Sequence, residues 1–162
     1  MSKRLTRRDV LKQAGAMAVA ASLFPAPAVL ANPKPNARLN VAMIGCGGRG
    51  RSYLPGLTAE AKNGLCLVAL ADADEGCQAA TLKAVAEASK NAKGKGFDPE
   101  KIKTFADYRA MYDKFGHQID AVFIATPDHQ HACPAMMGIK LGKHVYCEKP
   151  LVHHVEEARR LG

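Results

Sequence analysis

Beyond residue 38 the apolar positions come in short continuous runs, not in strict alternation. Leu39-Asn40-Val41-Ala42-Met43-Ile44 reads as a buried strand that ends at Gly45. Cys66 to Ala71 is a second run, ending at Asp72. From Glu75 to Lys90 the apolar residues fall at Cys77, Ala80, Ala84, Val85 and Ala88, a helical spacing. Lys101 to Phe105 reads as a short third strand, and Asp107 is placed to cap a helix reaching Phe115. Ile119 to Ala125 is a fourth strand, closed by Thr126-Pro127. His131 to Leu141 reads as helix with Gly142 as its stop. His144 to Cys147 is a fifth strand, and Glu148-Lys149-Pro150 leads into a last helix ending at Leu161. Strands apolar on both faces, separated by helices, predict an α/β fold: a doubly wound parallel sheet covered on both sides. There is no internal repeat and no low-complexity tract.

The N-terminus follows another pattern. Lys3, Arg4, Arg7, Arg8 and Lys12 crowd the start with Asp9 as the only acid, and an uncharged stretch runs from Ala14 to Phe24. Pro25, Pro27 and small residues follow up to Ala31. A basic segment, a short apolar segment and a small-residue end make a secretory signal over residues 1–31, with cleavage after Ala31 fitting best and Ala28 next. Eleven uncharged residues are too few for a bilayer core, which needs about 20, so no stable membrane anchor is expected. The run Thr6-Arg7-Arg8-Asp9-Val10-Leu11-Lys12 resembles the twin-arginine signal, with Val10 where that pattern favours Phe. It implies the twin-arginine export machinery as a partner and a periplasmic or otherwise exported location. A Pro/Asn linker over residues 32–38 then leads into the sheet-forming part, 39–162.

Charge changes meaning once the leader is set aside. The formal net charge is +8, a value that raises nucleic acid or an anionic surface as a partner. Half of it sits in residues 1–31. Much of the rest is carried by Lys90, Lys93, Lys95, Lys101 and Lys103 around a loop, which reads as a solvated face. With no Trp and only 6% aromatics, stacking platforms for bases are scarce, and nucleic acid drops out.

The candidate chemistry lies at strand ends. Gly45-Cys46-Gly47-Gly48-Arg49-Gly50 satisfies G-x-G-x-x-G directly after a strand, with helix-compatible Ser52-Tyr53-Leu54 behind it. Asp72 closes the second strand 22 positions after Gly50, near the about 20 expected of a ribose-binding acid. Gly45 permits the tight turn, Gly47 the approach of a pyrophosphate, and Gly50 close helix–strand packing, while the helix N-terminus offers N–H groups to phosphate. Asp72 accepts ribose hydroxyls and repels a 2′-phosphate, so NAD is the expected cofactor; Arg49 and Arg51 keep NADP open.

Two more segments share that carboxyl edge: Thr126, Pro127, Asp128, His129 and His131 after the fourth strand, and Glu148-Lys149-Pro150 after the fifth. Asp128, His129 and His131 could suggest a metal, but no fourth ligand is spaced to complete a site, and none is expected. Thr126, Pro127, His129 and His131 are expected to cap a helix and line the nicotinamide ribose.

Ile44 to Gly50, Ala71-Asp72, Ala125 to His131 and Gly142 to Leu151 together resemble the glucose–fructose oxidoreductase / inositol dehydrogenase / MocA family (Gfo/Idh/MocA). The resemblance implies an N-terminal Rossmann domain followed by a C-terminal α/β domain, and oxidation of a secondary alcohol on a sugar or polyol. It makes Lys149 the catalytic lysine contacting substrate and nicotinamide ribose, with Glu148 and Pro150 beside it. It places the acid–base histidine in the second domain, which also makes the family's dimers, so a homo-oligomer is expected of the full-length protein. Because the sequence stops at Gly162, it reads as the front portion of a longer oxidoreductase whose fifth strand would be an exposed edge, and which would be inactive alone. An NAD-dependent glycosidase working by transient oxidation and elimination is the alternative chemistry, and a non-catalytic cofactor-binding fragment is the other.

Cys46, Cys66, Cys77, Cys133 and Cys147 are odd in number and form no C-x-x-C pair, so buried free thiols are expected. Cys46 reads as a small loop residue, not a nucleophile.

Overall fold

A computed structural model describes residues 38–92 and 96–162. The leader, all of the linker but its last residue, and Lys93 and Lys95 lie outside the described residues. The described elements are β1 (Leu39–Ile44), α1 (Gly48–Ser52), α2 (Leu54–Glu60), β2 (Leu65–Ala71), α3 (Glu75–Asn91) and β3 (Lys103–Phe105). They continue with α4 (Tyr108–Phe115), β4 (Ala121–Ile124), α5 (Ala132–Lys140), β5 (His144–Cys147) and α6 (Val155–Leu161). The five strands form one sheet in the order β3-β2-β1-β4-β5, and every pair is parallel.

The three inner strands β2, β1 and β4 bury both faces, as their unbroken apolar runs require, while the edge strands β3 and β5 are only partly covered. Val41 and Met43 of β1 point to one layer, where Leu54 of α2 and Val85 of α3 meet them. Ala42 and Ile44 point to the other, against Met111 and Tyr112 of α4 and Ala135 of α5. Met43, Ile44 and Leu70 are fully buried, and side chains of that size contribute about 1.5–3 kcal/mol each when removed from water. The strongest packing therefore sits on β1 and β2, whose ends carry the glycine loop and Asp72.

Local chemistry sets the helix boundaries. Asp74 accepts the N–H groups of Gly76 (2.7 Å) and Cys77 (3.3 Å) and so opens α3. Asp107 accepts from Arg109 N at 2.8 Å and opens α4. Gly142, at φ +69°, follows α5 in the left-handed conformation that ends helices.

Three boundaries differ from the expectation. The helix after the glycine loop is interrupted at Tyr53, and Pro55, in the first turn of the next helix, supplies no N–H to continue the last one. Strand β3 starts at Lys103, because Asp98 caps a short turn over Pro99–Lys101. Strand β4 starts at Ala121, after a bend at Asp120, whose carboxylate accepts Asn40 N at 2.8 Å. At the outer strand β5, His144 and Tyr146 are exposed, and the Tyr146 ring stacks on Phe123 of β4 at 4.7 Å and 10°. Among the described residues no helix is long and apolar enough to cross a membrane.

Candidate functional site

The strand register brings four residues into one row. Ile44 pairs with Ala71 on one side and Ile124 on the other, and Ile124 pairs with Cys147. The next residue on each strand is therefore Asp72, Gly45, Ala125 or Glu148, set about 4.8 Å apart along the carboxyl edge. The row straddles β1 and β4, where the strand order reverses and where doubly wound sheets hold ligands.

Two glycines of the loop are demanded by its geometry. Gly45 has φ +86°, and a Cβ there would lie 2.6 Å from the Ala125 carbonyl carbon and oxygen. A Cβ on Gly50 would lie 2.1 Å from the Gly45 carbonyl oxygen. At Gly47 and Gly48, in contrast, a Cβ would meet nothing within 4 Å. No protein atom requires glycine at those two positions, so the loop presents bare backbone to open space. That is the cradle a diphosphate needs, at the start of a helix whose first N–H groups have no intrahelical acceptor.

Asp72 is tied into this loop. Its carboxylate accepts Cys46 N at 2.6 Å and Asp74 N at 3.0 Å. Each oxygen keeps one acceptor site for a ribose hydroxyl. The Cys46 N–H is thus spent on Asp72, and its thiol faces the core, where burial first and the Asp72 charge second push it up to about 12. Thr81 Oγ1 donates to the Cys46 carbonyl at 2.8 Å, and Gln78 Nε2 donates to the carbonyls of Asp72 (2.7 Å) and Phe105 (3.0 Å). Both supports come from α3, and the sequence pattern shows only polar residues within that helix.

Glu148 and Lys149 go separate ways. The Glu148 side chain is buried, with Arg49 Nε donating to it at 3.1 Å and the hydroxyls of Tyr53 and Tyr146 (3.4 Å) also pointing to it. The Tyr53 hydrogen bond and then Arg49 hold its carboxyl below the usual range against the opposing effect of burial. Tyr53 in turn is pushed up to about 12 by that hydrogen bond. Lys149 is exposed and makes no side-chain hydrogen bond or ion pair among the described residues. Arg49 lies over the Tyr53 ring, 5.0 Å from its centroid. An Arg49 committed to Glu148 is poorly placed for a 2′-phosphate, which narrows the NADP option to Arg51.

After β4, Pro127, Asp128 and His129 are exposed and Thr126 is half-buried. His131 departs from its expected place: it is 1% exposed, and both ring nitrogens face carbonyl oxygens, so it stands behind the edge and not along a ribose. A cleft of about 470 Å³ opens between Gly45, Asp72, Asp74, Tyr108, Thr126 and Gln130, a size typical of small-molecule sites. A second hollow of about 520 Å³ lies among α4, α5 and α6 and shares only Tyr108 and Arg109 with the first. It contains none of the motif residues. No group of three His, Cys, Asp or Glu side chains among the described residues is close enough to hold a metal ion. The five cysteines are free, but of these only Cys46 is buried: Cys66, Cys77 and Cys147 are half-buried, and Cys133, in the first turn of α5, is exposed.

Strand order, glycine loop and Asp72 together define a dinucleotide-binding domain of the Rossmann type. Residues 39–162 match the oxidoreductase family with an NAD-binding Rossmann fold that is named for glucose–fructose oxidoreductase, inositol dehydrogenase and MocA, and the chain belongs to that family. An inositol 2-dehydrogenase of Saccharopolyspora erythraea is 31% identical over 123 residues, covering 76% of this chain and 31% of that protein. The structure of myo-inositol dehydrogenase from Lactobacillus casei in complex with NAD(H) and myo-inositol matches with a TM-score of 0.52 at 25% identity, over 76% of this chain and 32% of that one. An NAD binding oxidoreductase from Klebsiella pneumoniae matches with a TM-score of 0.53 at 32% identity, over 76% and 30%. The chain spans about a third of the length of the inositol dehydrogenases it matches.

Proposed function

We propose that residues 39–162 are the cofactor-binding part of an NAD-dependent oxidoreductase that oxidises a secondary alcohol of a sugar or cyclic polyol. The observation that carries this reading is the row Asp72–Gly45–Ala125–Glu148, which sets the glycine loop, a ribose-binding acid and Lys149 on one sheet edge. Bound NAD supplies the hydride acceptor. The open backbone at Gly47 and Gly48 receives the diphosphate, and Asp72 accepts the adenosine ribose hydroxyls. Lys149 lies one residue beyond the row, exposed and uncommitted. Its ammonium orients the substrate hydroxyl and stabilises the negative charge that grows on oxygen as the proton leaves. The names of the inositol dehydrogenases among its relatives support a polyol substrate.

The test is NADH formation when NAD and cyclic polyols, myo-inositol among them, are added to the whole protein. Substrate-dependent NADH supports the reading; none across a panel of sugars and polyols counts against it. The basic run around Arg7-Arg8 and the apolar stretch Ala14 to Phe24 support export by the twin-arginine route. Replacing both arginines by lysine should keep the protein in the cytoplasmic fraction. Family resemblance also supports a homo-oligomer of the whole protein, which its mass by light scattering tests.

A further inference from the structure

We infer that His131 is a positioning residue for Lys149, an inference that rests on the dinucleotide site proposed above. The imidazole is buried, with Nδ1 2.6 Å from the Pro150 carbonyl oxygen and Nε2 2.8 Å from the Thr126 carbonyl oxygen. Thr126 follows β4 and Pro150 follows β5, so one ring bridges the two loops that flank the proposed nicotinamide end. Neutral imidazole has one N–H and bonds one of the two carbonyls; the doubly protonated ring bonds both.

The link to Lys149 runs through the backbone. On its N-terminal side, Glu148 N donates to Ile124 O at 2.9 Å, and the Glu148 carboxylate is held by Arg49 and Tyr53. On its C-terminal side, the Pro150 carbonyl is held by His131. The Lys149 side chain has no partner of its own among the described residues, so these two anchors set where its flexible stem begins. A lysine that must meet a hydroxyl of the nicotinamide ribose, and of the substrate beyond it, within hydrogen-bond distance depends on such an anchor, because small misplacements are costly. His131 touches neither cofactor nor substrate in this arrangement and acts through Pro150.

The stereochemistry of the amides gives a selective test. The Asn side-chain nitrogen falls near the position of histidine Nδ1, and the Gln nitrogen near that of Nε2. His131→Asn therefore keeps a donor for Pro150 and loses Thr126, while His131→Gln does the reverse. NADH affinity of the 162-residue chain is measured by fluorescence titration for wild type, both variants, and each combined with Lys149→Met. The inference expects His131→Gln to weaken NADH about fivefold, the worth of one hydrogen bond. It expects His131→Asn to stay within about twofold, and the difference to vanish in the Lys149→Met background. Equal losses in both variants, or a difference that persists without Lys149, would overturn it. Hydrogen–deuterium exchange without cofactor decides the matter independently. The peptide carrying Lys149 should exchange faster in His131→Gln than in His131→Asn, and equal rates would overturn the inference even if the wild type failed to bind NADH. That failure would count against the dinucleotide reading alone.

Discussion

The guanidinium of Arg49 donates through Nε to Glu148 Oε2 at 3.1 Å, joining residues 99 apart in the chain. One belongs to the glycine loop's helix and the other to the turn after β5, so the pair ties the phosphate side of the site to the lysine side. Its consequence is a division of labour between neighbours: Glu148 turns inward to the clamp, and Lys149 is left outward at the carboxyl edge. The depressed carboxyl at Glu148 gives a pH signature. A carboxylate whose folded pKa lies below its unfolded value adds stability above the unfolded pKa and loses it as pH falls through the folded one. The thermal midpoint of Glu148→Gln should thus lie below wild type at neutral pH, and the gap should close on acidification through and below the ordinary carboxylate range. A gap independent of pH would contradict the clamp.

The glycines separate into two kinds, and substitution should separate them. Gly50→Ala drives a methyl into the Gly45 carbonyl at 2.1 Å, an overpacking that costs about 1–3 kcal/mol. Its melting temperature should fall by several degrees. Gly47→Ala meets no protein atom within 4 Å, so its melting temperature should stay close to wild type while NADH binding weakens. Loss of stability at Gly47, or unchanged NADH binding there, would argue against a diphosphate cradle.

Thiol reactivity follows from placement. Cys46 is buried with its thiol at about 12, and burial holds Cys147 at about 11. Cys133 is exposed. Alkylation at mildly alkaline pH, mapped by mass spectrometry, should modify Cys133 first and leave Cys46 unmodified in the folded chain, because the thiolate is the nucleophile. Early modification of Cys46 would contradict its place in the core.

Much of this architecture was legible because β1, β2 and β4 are continuous apolar runs ending in residues that cannot continue them: Gly45 after β1, Asp72 after β2, Thr126-Pro127 beyond β4. Those same endings mark the site, since parallel register turns strand ends into neighbours. What the sequence hid is the work of side chains that meet only after folding. Nothing in Tyr53, Tyr146 and Arg49 as letters points to Glu148, and nothing in Gln78 or Thr81 tells that they hold the ends of β2 and the glycine loop. His131 shows the opposite case. A histidine beside a strand end suggested a ligand contact, yet the two carbonyls that fold around it leave it no exposed nitrogen.

The central claim is that Asp72 and the glycine loop bind NAD, and titration of the chain with NADH and NADPH, wild type against Asp72→Ala, tests it most directly. The account predicts saturable NADH binding, tighter than NADPH, that weakens at least about tenfold in Asp72→Ala, in keeping with loss of hydrogen bonds to a charged acceptor. No saturable binding by the wild type, or equal affinity in the variant, would contradict it.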